Sequence, residues 1–138
     1  MSPRQILCVS SYPALLQTRS LLFERAGYSV VKAQNRQEAE WILSRQAFDV
    51  IVLEHCVPMS ERHALAAMIK KAGFFTRVLV LHSSGNGPES CADASVDSRN
   101  GPGAILEALE EMFSHPERQE HVIASRAGYV NQQGKGGR

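Results

Sequence analysis

The chain has 138 residues, a formal net charge of +1 and a 43% share of hydrophobic residues, which suits one folded domain with a tail and excludes a largely disordered chain. The near-neutral charge argues against nucleic acid as a partner, and no apolar run is long enough to cross a membrane or to form a secretion signal. Since the three cysteines are scattered and form no CxxC pair, we expect free thiols in a reducing cytoplasm.

Short apolar runs alternate with segments of helical periodicity along most of the chain. The runs predicted to be strands are 6–9, 28–33, 50–53, 78–81 and 94–96. The third run, VIVL at 50–53, is too short for a helix and rich in β-branched residues, which is typical of a strand buried on both faces. This alternation predicts an α/β fold whose parallel sheet is wrapped by right-handed crossovers, in the flavodoxin-like strand order 2-1-3-4-5.

Start and stop signals predict where the helices lie. Pro13 suits the first turn of the first helix, and Asn35 with Glu38 forms a capping box for the second. Ser60 is predicted to cap the third helix. Trp41 is interpreted as a packing residue of the second helix, and Cys8 as part of the core.

The second half of the chain departs from this regular alternation. The stretch GNGPES between the fourth and fifth predicted strands leaves scarcely any room for a helix, so the fourth helix is expected to be shortened or absent. A last amphipathic helix follows Gly101, and from residue 116 the sequence is polar and rich in glycine. We therefore expect a domain over residues 1–115 and a disordered tail over residues 116–138.

The order and spacing of these motifs resemble the receiver domain of two-component response regulators, the CheY-like fold. The segments that carry the resemblance are ILCVSSYP, AGYSVVKAQNRQEAEWIL, FDVIVLEHCVP, TRVLVLHSS and CADASVDSR. The resemblance implies a three-layer sandwich. It also implies that an aspartate after the third strand accepts a phosphoryl group, and that two acidic residues after the first strand hold Mg²⁺. A Thr or Ser after the fourth strand and a Lys after the fifth bind the phosphoryl oxygens.

Most of these positions carry other residues here. The corresponding residues are Glu54 for the phosphoacceptor, Ser10 and Ser11 for the acidic pair, His82 with Ser83 for the hydroxyl, Ser98 for the lysine and Ser95 for the aromatic switch residue. Glu54 is expected where the strand emerges, either as a stand-in for phosphoaspartate or as the product of drift. His82 is a candidate partner of Glu54, with an ordinary surface histidine as the alternative.

The resemblance implies a stand-alone, atypical receiver (a pseudo-receiver) that acts in signal transduction by protein–protein interaction, without phosphorylation and without enzymatic activity. Mg²⁺ binding is expected to be lost, so no cofactor is predicted. The partner is expected to be a protein, such as a histidine kinase or another signalling protein, and a homodimer is left open. Two alternatives remain: a phosphorelay receiver that is phosphorylated at an unusual site, or a small-ligand or metal-binding protein that uses Glu54, Cys56 and His82.

Overall fold

The computed structural model describes residues 3–73, 75–83, 89–114 and 122–123, in which six strands alternate with four α-helices. The strands are β1 (Gln5–Val9), β2 (Ser29–Ala33), β3 (Val50–Glu54), β4 (Arg77–His82), β5 (Ala94–Asp97) and β6 (Val122–Ile123). The helices are α1 (Pro13–Arg25), α2 (Arg36–Leu43), α3 (Met59–Lys71) and α4 (Pro102–Ser114), with a 3-10 turn at Ser98–Asn100.

All strand pairs are parallel, and the strand order in the sheet is β2-β1-β3-β4-β5-β6. The predicted order 2-1-3-4-5 is therefore confirmed, and β6 adds a short strand beside β5, with Ala94 opposite Val122. Apart from β6, the predicted tail of residues 116–138 lies outside the described residues.

The sheet separates two apolar layers, because successive side chains of a strand point to opposite faces. All five residues of β3 are buried. On one face, Val52 belongs to a cluster with Phe23 of α1 and Leu109 of α4. On the other face, Leu53 belongs to a cluster with Leu65 of α3 and with residues of α2. This is the predicted three-layer sandwich, and Cys8 lies within the first cluster, as expected.

The helix starts follow local chemistry, with one correction. Asn35 caps α2 by accepting a hydrogen bond from the backbone N–H of Glu38 at 2.9 Å. The Glu38 side chain returns to the backbone N–H of Gln34 at 2.8 Å, so the capping box closes one residue earlier than expected. The prediction that Ser60 caps α3 is wrong: the helix begins at Met59 with Pro58 at the cap position, so Ser60 lies inside its first turn.

Trp41 does not pack in the core, contrary to the sequence interpretation. Ala39 and Leu43, four residues apart on α2, face the sheet and are buried. Trp41 lies between them in sequence and therefore on the opposite side of the helix, where it is 60% exposed. The guanidinium of Arg45 lies 4.4 Å from the centre of its ring.

The connection between β4 and β5 contains no helix in its described residues, 83 and 89–93, where the chain forms a turn before β5. Residues 84–88, which include most of the predicted GNGPES loop, lie outside the described ranges. No helix in the part of the chain that the structure describes has both the length and the apolar character that crossing a bilayer requires.

Candidate functional site

The candidate site lies where the carboxyl ends of the central strands meet. Because β1, β3, β4 and β5 are parallel neighbours, the residues that end or follow them gather along one edge of the sheet. Leu53 of β3 is in register with Val9, and Glu54 with Leu81. His82 is in register with Asp97 of β5. The edge therefore carries the residues that the sequence singled out: Ser10, Ser11, Glu54, Cys56, His82, Ser83 and Ser98.

Glu54 is fully buried and paired with a cation from α1. Its Oε2 accepts a hydrogen bond from Nε of Arg19 at 2.5 Å, and the Arg19 side chain is only 14% exposed. Its Oε1 is buried and has no hydrogen-bond partner among the described residues; Nδ1 of His55 lies 3.9 Å away. The expectation that Glu54 lies where the strand emerges is wrong, because its side chain is fully buried and Arg19 lies against the carboxylate.

Burial controls the acidity of this carboxyl group. It raises the pKa of Glu54 above its usual value, while the hydrogen bond and the charge of Arg19, followed by the charge of His55, act in the opposite direction. Since the pKa stays raised, the ion pair offsets the loss of hydration only in part. Ionising this carboxyl group therefore costs more in the folded protein than in the unfolded chain.

The two serines after β1 form internal hydrogen bonds. Ser10 is buried, and its Oγ accepts a hydrogen bond from the backbone N–H of Tyr12 at 3.2 Å. The same Oγ lies 3.3 Å from Sγ of Cys56. Ser11 is exposed and donates its hydroxyl to the backbone carbonyl of Cys56 at 3.3 Å. Both serines therefore connect the end of β1 to the turn after β3.

Cys56 lies in that turn and not on β3, which ends at Glu54. Glu54 and Cys56, two members of the alternative ligand-binding set, therefore do not lie on one strand. Burial alone raises the pKa of the Cys56 thiol, but hydrogen bonds from Ser10 and Ser11 and from the backbone outweigh this effect and leave the pKa below its usual value.

His82 and Ser98 connect the ends of β4 and β5. The Ser98 hydroxyl donates a hydrogen bond to the backbone carbonyl of His82 at 3.2 Å. The imidazole of His82 has a buried Nδ1 without a hydrogen-bond partner among the described residues, and burial lowers its pKa. The candidate pairing of His82 with Glu54 does not form, since the described ion pairs of Glu54 are with Arg19 and His55.

Comparisons with known proteins identify the fold. A receiver domain of CheY-like type from Methanospirillum hungatei superposes with a TM-score of 0.70 at 21% identity, over 84% of this chain and 98% of that one. The chemotaxis protein CheY4 of Vibrio cholerae gives 0.68 at 23% identity, over 80% and 98%. The chain has the CheY-like receiver fold. The response regulator TrrA of Thermotoga maritima, solved in complex with Mg²⁺ and BeF, gives 0.64 at 22% identity, over 82% and 98%.

Comparisons of sequence reach less far. The chain is 32% identical over 78 residues, 56% of its length, to a predicted transcriptional regulator of Pseudomonas aeruginosa. It spans only 38% of the length of that curated relative. No protein-family model matches the chain.

Two of the positions that the sequence resemblance predicts to be changed lie after and within β5. Ser98, which the sequence resemblance assigns to the lysine position, is followed by Arg99, which pairs with Asp97, with Nη2 at 2.6 Å from Oδ2. These bonds lower the pKa of Asp97 to about 2. Ser95, which the sequence resemblance assigns to the aromatic switch position, is buried, and its Oγ accepts a hydrogen bond from the backbone N–H of Glu89 at 3.4 Å.

The sequence interpretation missed Arg19, although a signal was present. Leu16, Ser20 and Phe23 of α1 are buried, so Arg19 lies next to the inward face of this helix. A lone arginine in that position needs a counter-charge, and Glu54 is the carboxylate that β3 brings to the same edge.

The alternative trio of Glu54, Cys56 and His82 is not gathered as a ligand set. Among the described residues, one group of three has its ligand atoms within 4.8 Å of one another, and it is a different one: His63, Glu89 and Cys91. The residues that the sequence resemblance assigns to the Mg²⁺ positions, Glu54, Ser10 and Ser11, offer one carboxylate, already paired with Arg19, and two hydroxyls. This donor set does not fit Mg²⁺, a hard ion that binds through carboxylate oxygens.

Proposed function

We propose that this protein is a pseudo-receiver: a receiver-fold signalling module that acts by binding a protein partner, without phosphorylation of Glu54 and without catalysing a reaction. The observation that carries the proposal is the buried Arg19–Glu54 ion pair. The receiver fold supports a signalling role, as does the similarity to part of a predicted transcriptional regulator.

The ion pair works against attack on a phosphoryl donor. A carboxylate nucleophile must reach phosphorus with a free oxygen lone pair. Oε2 of Glu54 is held by Arg19, and Oε1 is enclosed, so neither oxygen is presented to solvent. The guanidinium already occupies the charge-compensating role that a metal ion would otherwise take beside this carboxylate.

Around Glu54, the described positions that the resemblance assigns to the acidic pair and to the lysine also carry serines, which have no formal charge. Positioning and charge neutralisation supply most of the rate of phosphoryl transfer, and one electrostatic contact is worth about 10²–10³ in rate. Ser10 and Ser11 bring no formal charge to a metal, and Ser98 brings none to the phosphoryl group. Arg99 is engaged with Asp97 on the protein surface.

Burial also weakens the interpretation of Glu54 as a permanent mimic of phosphoaspartate. That interpretation requires the longer side chain to push negative charge outward, where a partner can read it. Here the side chain is fully buried and its charge faces a guanidinium. Sequence drift at position 54 after loss of phosphorylation, with Glu54 then pairing with Arg19, accounts for the arrangement better than a phosphoaspartate mimic does.

The proposal is tested with beryllofluoride and Mg²⁺, a mimic of the phosphoryl group with which the Thermotoga relative was solved. Backbone amide chemical shifts are recorded during a titration to millimolar Mg²⁺ and excess beryllofluoride, with Glu54→Gln as the matched control. We expect no saturable shifts at residues 10, 54 and 98. Saturable shifts that vanish in Glu54→Gln would support the alternative of a phosphorelay receiver.

A further inference from the structure

A second cluster of reactive side chains lies beside the receiver site and takes no part in it. His63 comes from α3, whereas Glu89 and Cys91 come from the segment that precedes β5. We propose that His63, Glu89 and Cys91 form a binding site for a borderline-soft divalent metal ion of the zinc class. This site would tie α3 to the segment before β5.

The geometry of the three ligand atoms fits such an ion. Oε2 of Glu89 lies 3.7 Å from Nε2 of His63 and 3.7 Å from Sγ of Cys91. The remaining separation, between the ligand atoms of His63 and Cys91, is at most 4.8 Å, so one point lies within about 2.4 Å of all three atoms. Zinc bonds to nitrogen, oxygen and sulfur are about 2.0–2.3 Å long. The shared point lies in the plane of the three atoms, whereas the ligand atoms of a tetrahedral zinc ion lie roughly 3.3–3.6 Å apart. Coordination would therefore require side-chain rotations that bring Nε2 of His63 and Sγ of Cys91 closer by up to about 1 Å.

The donor types select the metal. Imidazole, carboxylate and thiolate together suit Zn²⁺ and its neighbours in the first transition series, whereas Mg²⁺ and Ca²⁺ prefer oxygen ligands alone. Three protein ligands leave a fourth tetrahedral position for water, as in open zinc sites. The partial exposure of the His63 side chain, 44%, gives an ion a path from solvent.

Arg62 holds the carboxylate ligand in place. Its Nε donates to Oε1 and Oε2 of Glu89 at 3.1 and 2.9 Å, and its Nη1 donates to the backbone carbonyl of His55 at 3.4 Å and to that of Val57. A carboxylate oxygen has two lone pairs, so Oε2 can accept from Arg62 and bind a metal at the same time. Hydrogen bonding of a ligating carboxylate by a neighbouring residue is a regular feature of metal sites. Arg62 is thus a positioning residue and not a ligand.

The test uses the full chain without an affinity tag, titrated with Co²⁺ as a spectroscopic probe for zinc-class sites. We expect a near-ultraviolet thiolate-to-cobalt band that Zn²⁺ abolishes and millimolar Mg²⁺ does not. Cys91→Ser should remove the band, while Cys56→Ser, which alters another partly buried thiol, should keep it. His63→Ala should weaken Co²⁺ binding at least tenfold, about the size of effect seen when the surroundings of a metal ligand are altered. His55→Ala should leave Co²⁺ binding unchanged, and it is a matched control because the His55 side chain, 40% exposed, is nearly as accessible as that of His63.

Circular dichroism of each variant checks that it is folded, and a rise in Tm with Zn²⁺ that is present in the wild type but lost in Cys91→Ser gives a second readout. Three results would overturn the proposal: no cobalt band at millimolar Co²⁺, a band that survives Cys91→Ser, or equal losses of affinity in His63→Ala and His55→Ala.

Discussion

Removing the cation of the buried ion pair should destabilise the protein in a pH-dependent way. Arg19→Met keeps most of the side-chain volume but leaves the Glu54 carboxylate buried without a counter-charge. Breaking a buried pair from one side typically costs about 3–5 kcal/mol, and Arg19 is only 14% exposed, so we expect a loss near the lower end of that range. The variant should still fold, because domains of this size are stable by about 5–15 kcal/mol.

The pH dependence follows from the sign of the pKa shift. Burial already raises the pKa of Glu54, and Arg19→Met removes the hydrogen bond and the charge that act against it, so the pKa rises further. A carboxyl group with a raised folded-state pKa contributes stability below its unfolded pKa, and this is lost as pH rises through the folded pKa. The free energy of unfolding of Arg19→Met should therefore be close to that of the wild type at acidic pH and fall below it as the pH increases towards neutrality.

The assay is urea unfolding at a series of pH values, for the wild type, Arg19→Met, Glu54→Gln and the double variant. In Arg19→Met/Glu54→Gln the buried charge is gone, so the free energy of unfolding at neutral pH should recover by about 0.5–3 kcal/mol relative to Arg19→Met, the usual size of coupling between contacting residues. A loss in Arg19→Met that is the same at every pH, or a double variant no more stable than Arg19→Met, would refute the account of this pair.

Two further predictions concern the core and the surface. Leu53→Asp should prevent folding, since it places an unpaired carboxylate in a strand buried on both faces. Glu54→Gln should fold, because glutamine still accepts the hydrogen bond of Arg19. Far-ultraviolet circular dichroism and urea unfolding distinguish the two variants, and an unfolded Glu54→Gln would contradict this prediction. Trp41→Ala should change the free energy of unfolding by less than about 0.5 kcal/mol, because Trp41 is exposed. Phe23→Ala removes a buried core side chain and should cost about 3–5 kcal/mol. A loss in Trp41→Ala close to that in Phe23→Ala would support the packing role predicted from the sequence.

The sheet was predictable because strands buried on both faces leave continuous apolar runs. The run at 50–53 forms β3, and the other four runs form β1, β2, β4 and β5 of the same sheet, in the predicted order. The helix starts at Pro13 and Asn35 were also predictable, since capping depends on residues close in sequence. Ser60 is not the cap because α3 begins at Met59, with Pro58 at the cap position, so Ser60 already lies in the first turn.

The site was harder to predict because its decisive contacts join distant parts of the chain. Arg19 and Glu54 are far apart in sequence, and neither α1 nor β3 alone indicates that they pair. Trp41 misled because the short helix α2 offers only two buried positions to define its inward face. The His63, Glu89 and Cys91 cluster has no recognisable ligand spacing, since α3 and the segment before β5 meet only in the folded protein.

The central claim is that Glu54 does not accept a phosphoryl group, and intact-mass spectrometry tests it most directly. The purified chain is incubated with acetyl phosphate and Mg²⁺, with Glu54→Gln treated in parallel. We expect the mass of the chain to stay unchanged, because Arg19 is paired with the carboxylate and the serines after β1, Ser10 and Ser11, bring no formal charge for a metal ion. A phosphoryl adduct that appears in the wild type and is absent from Glu54→Gln would contradict the pseudo-receiver account.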